Sequence, residues 1–251
     1  MKLTVIGCSG SVPGPDSAAS SYLVTADGFN LILDLGSGAL GSLQRHIAVP
    51  EIGAIGLSHL HPDHCMDLCG LYVAARYAPG APIPRIPVFG PPGTSERMAL
   101  AYDLPLEPGM EEELEFHAWQ DVQQIGPFTI RTAPMAHPVP AYAIRVEHGN
   151  KSLVYTGDTG PNDALIELAR GADMLLSEAA LPDNEPNNPV DLHMTPLQIR
   201  KMRLIRPSPR DRDWLRERFA SVSRNFGCNV TIASDDSVLA VQRFVPFRST
   251  R

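Results

Sequence analysis

The segment His59-Leu60-His61-Pro62-Asp63-His64 packs three imidazoles and a carboxylate into six residues, directly behind the apolar run Ile52 to Leu57. A fold that accepts this segment must end a strand at it and leave room for the side chains to converge. Residues two apart on extended chain point the same way, so His59 and His61 can grip one ion. Asp63 and His64 fall where the chain enters a helix and can turn toward a second ion. Imidazole with carboxylate suits zinc, one ion or two, with manganese and iron as the other candidates. The competing reading is a set of surface or capping polar groups with no metal, Asp63 serving as the cap. Four ligand-type side chains at this spacing, with apolar elements on both sides, weigh against it.

Charge limits the partners. Lys and Arg number 21 against 28 Asp and Glu, a formal net charge of -7. A broad nucleic-acid footprint needs clustered Lys and Arg. The one Arg-rich stretch, Arg200 to Arg218, is interrupted by Asp211, Asp213 and Glu217 and reads as a solvated helix face. A small anion remains compatible, because a bound dication inverts the local field. The start of the chain, Met1 to Gly7, has too short an apolar run for a signal peptide, and no stretch approaches the roughly 20 apolar residues that span a bilayer. A cytoplasmic protein without membrane contact is expected. Cys8, Cys65, Cys69 and Cys228 show no paired zinc-type spacing and read as reduced, packed thiols, although Cys65 and Cys69 lie one helical turn apart beside the His cluster.

Along the 251 residues, short apolar strands are expected at 3–6, 21–25, 31–33, 52–57, 87–89, 114–117, 128–133, 142–147, 152–156, 174–177, 229–233 and 238–241. Helices are expected at 38–46, 63–77, 98–102, 163–170, 195–202 and 211–226. No repeat or linker divides the chain, so residues 1–251 read as one domain. Strand-rich halves punctuated by helices suggest an α+β fold, an αββα sandwich of two mainly antiparallel sheets flanked by helices.

Three further segments join the His cluster in a family likeness: Gly7-Cys8-Ser9-Gly10-Ser11-Val12-Pro13, Leu31-Ile32-Leu33-Asp34-Leu35-Gly36-Ser37-Gly38 and Phe89-Gly90-Pro91-Pro92-Gly93. Together they resemble the metallo-β-lactamase superfamily over most of the chain, and within it the ribonuclease Z and cyclic-nucleotide phosphodiesterase branch. The resemblance implies that His137, in Ala136-His137-Pro138, completes the first metal's set, and that Asp158, in Tyr155-Thr156-Gly157-Asp158-Thr159, bridges both metals. By themselves His137 could be an ordinary loop residue and Asp158 a helix cap. Asp34 would support the metal loop through hydrogen bonds, or simply form a turn. His193, in Asp191-Leu192-His193-Met194-Thr195, resembles the His-x-Thr element whose His protonates the leaving oxygen or stabilises phosphate, its alternative being an exposed His before a helix. His46, His117 and His148 have no such context.

The chain departs from the family at one place. The branch carries one more His, at the end of a late strand, on the second metal, yet no His follows His193 here. Ile205-Arg206-Pro207-Ser208-Pro209 looks like the sequence that follows that ligand, only twelve positions beyond His193. Either a segment between them is missing, or the second ion depends on Asp63, His64 and Asp158 alone. The expected function is hydrolysis of cyclic nucleotides or related small phosphodiesters, with Asp63 and His193 as the proton-handling groups. The alternatives are ribonuclease Z-like processing of transfer RNA, disfavoured by the acidic charge, and a weakened metal- or nucleotide-binding protein. β-Lactam hydrolysis fits less well, without an export signal. Dimerisation is common in the branch resembled, so a homodimer is the assembly to look for.

Overall fold

The computed structural model describes residues 1–80, 82–183, 185–201, 229–232 and 238–242. The expected helix at 211–226, the segment Ile205 to Pro209 and Cys228 lie outside them.

The chain opens with three antiparallel strands, β1 (Lys2–Gly7), β2 (Ser21–Ala26) and β3 (Phe29–Leu33). The β2–β3 turn is Asp27-Gly28, with φ of 50° and 78°. Two consecutive positive φ values are what a tight hairpin of this hand requires, and Asp-Gly tolerates them. Helical crossovers then alternate with strands: α1 (Ala39–Leu43), β4 (Ala54–Gly56), α2 (Pro62–Cys65), α3 (Leu68–Tyr77), β5 (Ile86–Gly90), α4 (Thr94–Ala101) and β6 (Leu114–Ala118). Each crossover returns the chain in the same direction, so β3, β4, β5 and β6 pair in parallel.

The second sheet begins with β7 (Val122–Ile125), β8 (Phe128–Pro134), β9 (Tyr142–His148) and β10 (Lys151–Tyr155), all antiparallel. Helix α5 (Asp163–Ala169) leads to β11 (Met174–Glu178), parallel to β10. After α6 (Pro196–Lys201), β12 (Asn229–Ile232) and β13 (Val238–Gln242) complete the sheet, whose order is β12-β13-β11-β10-β9-β8-β7. Both sheets are therefore mixed. Antiparallel pairing dominates the second as expected, whereas the crossovers make most of the first sheet parallel.

Side-chain alternation builds the layers. On β2 and β3, Tyr22, Val24, Leu31 and Leu33 face Phe128, Ile130, Ile144, Val146 and Leu153 of the other sheet. The intervening Leu23 and Ile32 face outward onto Leu43, Leu68, Leu71 and Met98 of the first helical layer. Val154 and Leu175 face outward from the second sheet onto Leu165, Ala169 and Ile199. Helices thus cover the outer face of each sheet.

Two local expectations need correction. The helix read over 63–77 is broken into α2 and α3, because the Asp67 backbone N–H donates to Leu35 O at 3.1 Å and leaves the helical ladder, while its carboxylate accepts from the N–H groups of Gly38 and Leu40 (3.1 and 2.8 Å) at the start of α1. Strand β7 was not anticipated; Val122-Gln123-Gln124-Ile125 is short and half polar, as suits a sheet edge. Among the described residues no helix is long and apolar enough to cross a membrane.

Candidate metal centre

Loops at one rim of the sandwich supply the site. His59 and His61 follow β4, Asp63 and His64 lie in α2, His137 follows β8 and Asp158 follows β10. The structure brings all six together: the ligand-type atoms of His59, His61 and His137 lie within 4.8 Å of one another, so do those of His59, His64 and Asp158, and Asp63 Oδ2 lies 3.3 Å from His64 Nε2. Bare backbone contacts set this convergence. Leu35 N–H donates to His64 O at 2.8 Å, and Tyr142 N–H donates to Ser58 O at 2.9 Å, tying the second sheet to the first. A Cβ on Gly36 would lie 1.8 Å from Asp63 O, and one on Gly157, whose φ is 56°, would lie 2.6 Å from Ser58 Cβ. Only glycine fits either position.

Hydrogen bonds fix the imidazole tautomers. Ser58 Oγ donates its one proton to Asp34 Oδ2 (2.7 Å), leaving it an acceptor for His59 Nδ1–H at 3.0 Å. His137 Nδ1–H donates to the Leu192 carbonyl at 3.0 Å. The free lone pairs of His59 Nε2 and His137 Nε2 therefore both face His61 Nδ1, each at 3.1 Å. One proton on His61 cannot serve both, so the trio is short of a positive centre. A divalent ion fits there: the edge of a tetrahedron of Zn–N bonds is roughly 3.3 Å, from bond lengths of about 2.0–2.1 Å. Burial above all, with His64 beside it, pushes His59 down to about 2, and burial also lowers His137. Both stay neutral, as ligands must.

The neighbouring group is charged. His64 Nδ1–H donates to Asp34 Oδ2 at 2.7 Å, while its Nε2 faces Asp63 Oδ2 at 3.3 Å and Asp158 Oδ1 at 3.4 Å. Burial opposes protonation of His64, but Asp158 and Asp34 outweigh it and hold the pKa well above 6.5. Burial would likewise raise Asp158, yet His64, then His59 and His193, keep it below the usual carboxylate range. Asp158 spans the two groups, its other oxygen lying 3.8 Å from His59 Nε2. Asp34 is itself fully buried at φ 57° and takes four bonds, from Ser58 N–H (2.6 Å), Ser58 Oγ, His64 Nδ1 and the Tyr155 hydroxyl (2.6 Å). Its four bonds go to distant residues, so Asp34 acts as a support that orients His64 directly and His59 through Ser58.

His193 reaches the same rim. Its Nδ1–H donates to Glu178 Oε1 at 3.1 Å and lies 3.8 Å from Asp158 Oδ2. Glu178, missed by sequence reasoning, also accepts from the backbone N–H groups of Thr159, Met194 and Ala180. Its signal was available, since it ends the apolar strand β11 much as Asp158 follows β10. Burial opposes a charge on His193, but Glu178 overcomes it and raises the pKa. The thiols stand apart from this chemistry: burial pushes Cys65 up to about 12, and its Sγ donates to His61 O. His117 stacks on Phe89 and His148 pairs with Asp27.

The family model for the β-lactamase superfamily domain matches residues 30–207. An uncharacterized protein of Mycobacterium tuberculosis is 42% identical over 202 residues, covering 78% of this chain and 73% of the relative. Ribonuclease Z of Mycobacterium bovis is 36% identical over 199 residues, covering 70% and 69%. The probable metallo-hydrolase YhfI of Bacillus subtilis is 33% identical over 186 residues, covering 71% and 72%. Its crystal structure superposes with a TM-score of 0.70 at 29% identity, covering 80% of each chain. The short form of human tRNase Z shares the fold, with a TM-score of 0.65 at 20% identity over 80% and 87%. By a family match across most of its length, and by relatives that include YhfI and ribonuclease Z, this chain belongs to the β-lactamase superfamily.

Proposed function

We propose that the protein is a metal-dependent phosphodiesterase acting on small phosphodiesters, cyclic nucleotides foremost. The observation that carries this is the His59, His61 and His137 trio, whose facing lone pairs lack a positive centre, joined through Asp158 to His64 and Asp63. The trio would hold one divalent ion and His64, Asp63 and Asp158 a second, with zinc first and manganese or iron as alternatives. Ions held there supply Lewis acidity and make hydroxide available near neutral pH.

The chain's own groups divide the remaining work. Asp158 directs one oxygen to each half and holds them in register. Asp63 presents Oδ2 at the same edge and accepts the proton of the attacking nucleophile. His193, its Nδ1 proton committed to Glu178 and its pKa raised, carries a proton on Nε2 to the departing alkoxide. Glu178 keeps that ring from turning.

The second reading is transfer-RNA processing, favoured by the likeness to ribonuclease Z. A net charge of -7 argues for the smaller substrate, since each phosphate of a long polyanion wants a Lys or Arg. The test is turnover of cyclic AMP against unprocessed transfer RNA, each with zinc or manganese. Preferred cleavage of the RNA would reverse the ranking, and ion binding with no turnover of either would make this a binding protein.

A further inference from the structure

Strand β10 meets His64 from two directions. Asp158, three residues past the strand's last position, faces His64 Nε2 at 3.4 Å. Tyr155, that last position, reaches the opposite side of the ring indirectly: its hydroxyl donates at 2.6 Å to Asp34 Oδ2, the oxygen that accepts from His64 Nδ1 at 2.7 Å. The positive φ of Gly157 turns the chain between them. Tyr155, Asp34 and His64 are all buried, and the tyrosine ring packs on Tyr22 with centroids 5.1 Å apart. The other side-chain donors to that Asp34 oxygen, Ser58 and His64, come from the first sheet's loops, so the Tyr155 hydroxyl is the contact by which the second sheet holds it.

We infer that Tyr155 is a positioning residue for the second ion: through Asp34 it sets the His64 ring at a fixed distance from Asp158, three residues farther along the chain. This rests on reading His64, Asp63 and Asp158 as an ion site. Hydrogen bonds behind a ligating imidazole fix its tautomer and orientation, and their loss weakens metal binding by about 10–100-fold. Removing the hydroxyl leaves the carboxylate anchored from one sheet only. Of the trio, His137 is held independently of Asp34 by the Leu192 carbonyl, and His59 feels Asp34 only at one remove, through Ser58.

The experiment is zinc titration by calorimetry of the full, metal-stripped chain, comparing wild type, Tyr155→Phe and Leu153→Ala. Leu153, two positions back on the same buried face, controls for loss of packing alone. Wild type is expected to show two classes of zinc site. Tyr155→Phe should weaken the second by about tenfold or more and the first by much less. Leu153→Ala should lower the melting temperature without separating the two. Unchanged affinities in Tyr155→Phe, or an equal weakening of both classes, overturn the positioning role while leaving the metal centre intact. A wild type with zinc at the trio alone overturns it for a different reason, by removing the second ion site.

Discussion

The trio of His59, His61 and His137 and the group of His64, Asp63 and Asp158 share a rim, yet burial leaves them in opposite states. In the trio, burial drives His59 down to about 2 and lowers His137, so two lone pairs face His61 Nδ1, where a single proton cannot relieve both. Around His64 the carboxylates win against burial, and a proton holds the place a cation would take. One half therefore offers two neutral imidazoles, His59 and His137. The other exchanges a proton for an ion.

The largest expected effect erases the contrast. His61→Ala with Asp63→Ala removes a group from each half, and hydrolysis of bis(p-nitrophenyl) phosphate should fall to background along with zinc content; full activity in that variant would end the phosphodiesterase reading. Next, His193→Ala should lower kcat by about 10²–10⁴-fold with zinc content unchanged, since its role is proton transfer. A loss of zinc instead would make it a ligand. Asp34→Asn should weaken zinc by about 10–100-fold, more at His64, which it touches, than at His59, which it reaches through Ser58.

The smallest effect is the sharpest. Zinc must displace the proton on His64, so affinity at that half should fall by up to about tenfold per pH unit as pH drops below its raised pKa, while His59 and His137, held neutral, add no such dependence to the trio. Without metal the sign reverses. The raised His64 pKa contributes stability that is full below about 6.5 and is lost as pH rises through the folded value. Calorimetry and thermal unfolding across pH check the two halves of that statement.

Much of this was legible in the chain. The apolar run into His59 located a strand end, and that strand end is where the ligand-type residues gather. Asp158 could be recognised only by its likeness to a family, because one carboxylate after a strand looks the same whether it meets imidazoles or caps a helix. Glu178 was overlooked for that reason; its partners, His193 and three backbone amides, are brought to it only by the fold. The break between α2 and α3 was hidden because Asp67 is bonded to Leu35, Gly38 and Leu40, far away in sequence. Parallel pairing in the first sheet was equally invisible, since periodicity reports faces and not direction.

Gly36 lays main chain on the Asp63 carbonyl, and Gly157 lays it on the short Ser58 side chain, with no long side chain between to take up slack. The aperture is thus a mould cast largely by the backbone. A larger cation such as calcium, which wants oxygen ligands at about 2.3–2.6 Å, would have to prise whole loops apart. Directed evolution toward another ion would accordingly progress by inserting or deleting loop residues sooner than by exchanging one imidazole for another donor.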